Sequence, residues 1–153
     1  MKAIFWVGKG TIFDGAIRAF KRGGVSHSEI MFSDGFCGTS YPGVGVVLRP
    51  LVVRPEDWVI LELPCTPEEE AKVRAFFVEE AGCGYDWLGI VFAQVLGWHW
   101  QSKTKYFCSE TTIAALQRIY TVLNGLKAWR EDPASVLVIL AERVLGPDRW
   151  VKP

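Results

Sequence analysis

The tripeptide Ser33-Asp34-Gly35 separates two strand-like runs, Val25 to Phe32 and Phe36 to Tyr41. An Asp-Gly pair between such runs is a strong hairpin signal, because glycine takes the positive φ that a tight reversal needs. It commits the chain to antiparallel pairing, and further strand-like segments surround it. These are Ile4 to Val7, Val44 to Val53 with Pro50 as a break, and Trp58 to Leu63. Helical spacing separates or follows them. Ile12 to Phe20 reads as a short helix ended by Gly23-Gly24. Thr66-Pro67-Glu68-Glu69 combines an N-cap, a proline at the first helical position and the glutamate of a capping box, and the helix it opens is predicted to reach about Ala81 before Gly82. Residues 86–97 read as a short apolar helix and Trp98 to Lys105 as a loop. Cys108 opens a helix to about Tyr120, and Asp132-Pro133 opens a last one to about Val144. The expected fold class is α+β, a central antiparallel sheet packed with helices. No repeat, low-complexity segment or linker divides the chain, so residues 1–153 are expected to form one domain.

Composition narrows the function. Seventeen basic residues balance seventeen acidic ones, and no basic patch stands out, which argues against nucleic acid as a partner. Cys37, Cys65, Cys83 and Cys108 form no CxxC pair, so neither a zinc site nor a disulfide scaffold is indicated. The N-terminal apolar run is too short for a signal peptide, and no apolar stretch reaches membrane-spanning length. The expectation is a soluble cytoplasmic protein; a phage virion component would read the same way.

The chemistry centres on Tyr106-Phe107-Cys108-Ser109-Glu110-Thr111-Thr112. Unpaired N–H groups and the positive end of the helix dipole favour an anion at a helix start, which biases a cysteine there towards thiolate. Such a nucleophile needs an acid–base partner. The chain has two histidines; His27 stands in a strand-like run, and His99, in Trp98-His99-Trp100, reads as a surface loop residue or a groove lining. By residue type alone, a cysteine at a helix start is more often structural than reactive, and a strand histidine is more often packed than catalytic. Glu29, two residues on from His27, shares its strand face. It could raise the histidine pKa and hold its tautomer, or serve as a solvated charge or cross-strand partner. Glu110, in the first helical turn, suits helix stability or a substrate contact.

Four local patterns in this order resemble the circularly permuted branch of the NlpC/P60 superfamily. They are Gly8-x-Gly10; Ser26-His27-x-Glu29-Ile30-Met31-Phe32-x-Asp34-Gly35; Gly84-Tyr85-Asp86-Trp87; and Phe107-Cys108-Ser109-Glu110. This branch comprises papain-like cysteine hydrolases whose histidine strand precedes the cysteine helix, as in YiiX-type and lecithin:retinol acyltransferase-like groups. The likeness covers roughly residues 4 to 116 and is nearest to small phage and bacterial members. It implies a permuted papain-like fold, Cys108 as nucleophile and His27 as general base. Thr39, next to Ser40, falls in the slot of the third residue, where family members carry His, Asn, Gln or Glu; the hydroxyl is a departure. Tyr85 matches a tyrosine that donates to the developing oxyanion, although Tyr85-Asp86 also suits a helix start. The implied function is a cysteine hydrolase cleaving an amide bond, such as one in cell-wall peptides, through a thioester. Two alternatives remain: an acyltransferase or lipid esterase whose apolar segment Trp87 to Trp98 touches a bilayer, and a binding module on the same fold. No metal or organic cofactor is expected.

Overall fold

The computed structural model describes residues 1–8, 24–85 and 105–146. Helices expected over Ile12–Phe20 and 86–97, most of the 98–105 loop, and His99, Asp86 and Trp87 lie outside them.

Five strands form one sheet in the order β4-β3-β2-β1-β5: β1 Lys2–Trp6, β2 His27–Met31, β3 Phe36–Tyr41, β4 Gly45–Pro50 and β5 Trp58–Glu62. Every neighbouring pair is antiparallel. The Asp-Gly hairpin forms as read: Gly35 has φ 84° and Phe32 N–H donates to Phe36 O. Pro50 closes β4, which is an edge strand, where a missing N–H costs no ladder bond.

Strand alternation sorts the side chains into two faces. Ala3, Phe5, Ile30, Val46 and Leu61 enter the main core, whereas Ile4, Cys37 and Trp58 form a smaller cluster on the other face. His27 and Glu29 share that second face by their spacing. On the main-core side lies α1 (Pro67–Glu79), with the expected capping box at Thr66 and Glu69 and with Val73, Phe76 and Phe77 buried. Gly38 of β3 passes directly under it; a Cβ there would meet the Phe77 ring at 2.6 Å.

Helix α2 spans Cys108–Leu116 and is buried almost throughout, packed against β2, β3, α1 and α3 (Pro133–Ile139). It stops four residues before the expected Tyr120. The backbone tightens after Leu116, where the Gln117 side chain donates to Leu123 O and Leu126 O and draws the following turn inward. After α3, Leu140–Leu145 widens into a single stretch of π-helix, so the last helical segment reaches its expected end with a change of pitch. Two short strands escaped the sequence reading. Gly84–Tyr85 (β6) pairs in parallel with Lys105–Tyr106 (β7), so Tyr85 lies in a strand rather than at a helix start and Lys105 is not loop.

Candidate active site

The site forms where β2 and β3 part. Their ladder is regular at Met31↔Cys37 and Ile30↔Gly38. Continued by the same register, it would pair Ser28 with Ser40. Instead the Ser28 N–H donates to the Cys108 sulfur, and Ser28 O accepts from the Thr39 hydroxyl at 2.9 Å. Ser40 turns away and donates to Tyr106 O at 2.8 Å. The start of α2 fills the opening, tied to β2 again through the Ser28 and Thr112 hydroxyls, 3.0 Å apart.

This wedge brings Cys108 to His27. Cys108 is 4% exposed as a residue and the His27 side chain 13%. Burial alone pushes a thiol up, but the His27 imidazolium and the Ser28 and Ser109 N–H groups outweigh it and hold Cys108 below its ordinary 9.0. Burial likewise pushes the imidazole down. The Cys108 sulfur first, and then Glu29, overcome that and raise His27 to about 10. The two shifts describe one thiolate–imidazolium pair.

The far side of the imidazole is taken by two groups. Nε2 lies 3.3 Å from Glu29 Oε1 and 3.3 Å from Thr39 Oγ1, which leaves Nδ1 for the sulfur. Thr39 spends its hydroxyl proton on Ser28 O, so towards His27 it is an acceptor. Glu29 is fully buried, which removes the solvated-charge reading. Its Oε1 also accepts from Tyr41 OH and, at 2.9 Å, from Arg49 Nη2. Burial pushes this carboxyl up, yet the His27 and Tyr41 hydrogen bonds and the Arg49 charge hold it below the usual carboxylate range.

Cys108, His27, Glu29 and Thr39, all singled out from sequence, therefore meet in one place. Ser40 does not join them, and Glu110 is buried in the first turn of α2. The Tyr85 side chain and His99 are outside the described residues. Tyr41 and Arg49 escaped the sequence reading because neither sits in a motif. Their signal lies in register alone: Cys37↔Arg49 and Tyr41↔Gly45 put them beside Glu29 only once β3 and β4 are paired. Among the described residues no group of three His, Cys, Asp or Glu side chains could hold a metal ion, and no helix is long and apolar enough to cross a membrane. Protein-family models and curated proteins gave no match to this chain.

Proposed function

We propose that this chain is a cysteine hydrolase of the permuted NlpC/P60, papain-like type, acting on an amide bond such as those of cell-wall peptides. The observation that carries the reading is the meeting of buried Cys108, at the start of α2, with His27, and of the Glu29 carboxylate with the far side of the imidazole at 3.3 Å. Burial alone raises a structural thiol in a dry site; here the His27 charge and the Ser28 and Ser109 N–H groups outweigh burial and lower Cys108 instead.

The chemistry follows from those groups. The Cys108 sulfur attacks the substrate carbonyl carbon, and the oxygen gathers negative charge at the helix start, where backbone N–H groups such as that of Cys108 stabilise it. As the C–N bond breaks, His27 gives its proton to the departing amine, leaving a thioester on Cys108 and a neutral imidazole. A water then attacks the thioester carbonyl while His27 takes its proton. Collapse expels the sulfur as thiolate and releases the acid, restoring the starting pair. Glu29 keeps Nε2 as the protonated nitrogen, so that Nδ1 is the one that exchanges protons, and its charge stabilises the imidazolium. Thr39, the hydroxyl that stands where the family carries a stronger acceptor, aligns the ring and adds no charge.

The test is digestion of purified peptidoglycan and muropeptides, with products resolved by mass spectrometry. Wild type is expected to release new fragments and Cys108→Ala none. Identical products from the two proteins, or none from wild type with a full panel of muropeptides, would overturn the assignment of substrate and reaction.

A further inference from the structure

Four groups of alternating charge run from the start of α2 to the edge strand: the Cys108 thiolate, the His27 imidazolium, the Glu29 carboxylate and the Arg49 guanidinium. The last three meet at a single atom, Glu29 Oε1, with His27 Nε2 at 3.3 Å and Arg49 Nη2 at 2.9 Å. Tyr41 is the spacer between the two cations. Its ring centroid lies 4.6 Å from that of the imidazole and 4.8 Å from the Arg49 guanidinium carbon, and its hydroxyl donates to the same carboxylate oxygen. Arg49 side-chain exposure is 31%, so it reaches this buried oxygen from a partly solvated position; burial works against its charge, and Glu29 with Tyr41 outweighs that burial.

A carboxylate facing an imidazolium alone would hold the proton on it hard. His27 must release that proton to the leaving group, and an imidazolium held too firmly is a poor acid. A second cation on the same oxygen divides the carboxylate's field. We propose that Arg49 is a positioning residue that acts through Glu29: it fixes Oε1 against His27 and weakens the hold of Glu29 on the imidazolium proton, with Tyr41 setting the distance between the two cations. This rests on the Cys–His reading above and adds to it a residue on a different strand.

Other titratable groups do not supply the effect. Facing His27 and Glu29 among the described residues are Cys108 from α2, Cys37 and Tyr41 from β3, and Arg49 from β4, while β1 presents the uncharged Ile4 and Trp6. Burial first, and then Glu29, push the Cys37 thiol up to about 12 and the Tyr41 phenol up as well, so both stay neutral across the working range.

The sign of the effect distinguishes this role from simple support. Removing a neighbouring cation raises the pH at which an imidazolium loses its proton, whereas removing a neighbouring carboxylate lowers it. The experiment is NMR titration of the His27 ring in the Cys108→Ala background, where loss of the sulfur anion brings the imidazole down from about 10 into an accessible range. The chain has two histidines, and a His99→Gln variant assigns the signals. Arg49→Gln is expected to raise the His27 pKa, and Glu29→Gln to lower it, each by on the order of one unit. Arg49→Lys, which restores the charge, is expected to stay near the background value and serves also where Arg49→Gln folds poorly. An unchanged or lowered pKa in Arg49→Gln would overturn the proposal, as would a rise in Arg49→Lys equal to that in Arg49→Gln. Opposite shifts in a protein that cleaves no muropeptide would uphold the tuning by Arg49 and overturn the hydrolase assignment.

Discussion

Replacing Thr39 with valine separates the two groups behind His27. The side chains are nearly the same size, and Thr39 is fully buried, so the change leaves neither a cavity nor a clash. What it removes is the hydroxyl that donates to Ser28 O at 2.9 Å and faces His27 Nε2 at 3.3 Å. Ser28 O faces the opening between β2 and β3, where no ladder partner replaces the lost bond. A buried carbonyl left unpaired costs about 1–3 kcal/mol. For a domain of this size that is a fall in Tm of roughly 2–4 °C per kcal/mol, readable by differential scanning calorimetry. The His27 pKa should barely move, because a neutral acceptor at 3.3 Å does little compared with the Glu29 carboxylate at the same distance. Glu29→Gln should reverse the pattern, lowering the His27 pKa by on the order of one unit. Cys108 alkylation against pH reads both variants. The reasoning is refuted if Thr39→Val shifts that profile as far as Glu29→Gln does, since the hydroxyl would then be the dominant third group.

Gly45→Ala should be among the most damaging single changes outside the site. Gly45 has φ 82°, and a Cβ would stand 1.9 Å from Cys83 O, so strained backbone adds to a clash with main chain; a loss of about 2–5 kcal/mol is expected by urea unfolding. Acid unfolding should carry a contribution from Glu29. Its folded pKa lies below the ordinary 4.5, so its contribution is complete above that value and is lost as pH falls through the folded one. Urea unfolding of Glu29→Gln should lack this part of the acid slope. On the alkaline side, His27 is raised from 6.5 to about 10, so its contribution is complete below 6.5 and is lost as pH rises through about 10. His27→Ala should flatten that limb.

Much of this arrangement was legible from local signals, and what was not depends on pairing at a distance. The hairpin at Asp34-Gly35, the capping box at Thr66 and the helix opening at Cys108 each rest on a few adjacent residues, and all three appear in the structure. The early end of α2 did not show, because Gln117 stops it by bonding carbonyls six and nine residues on. The parallel pair Gly84–Tyr85 and Lys105–Tyr106 is too short for any periodicity to register. Thr39 came from a family slot and Glu29 from strand alternation, and the two proved to flank the same nitrogen. Nothing local marked Arg49. It reaches Glu29 from the edge strand, through a register that only the folded sheet defines.

The ion pair itself is tested most directly by the rate of iodoacetamide alkylation at Cys108 against pH, resolved by mass spectrometry, in wild type and in His27→Ala. The account requires an apparent pKa well below the ordinary 9.0 in wild type and a clear rise in the variant. An ordinary pKa in wild type, or one indifferent to His27, would contradict it.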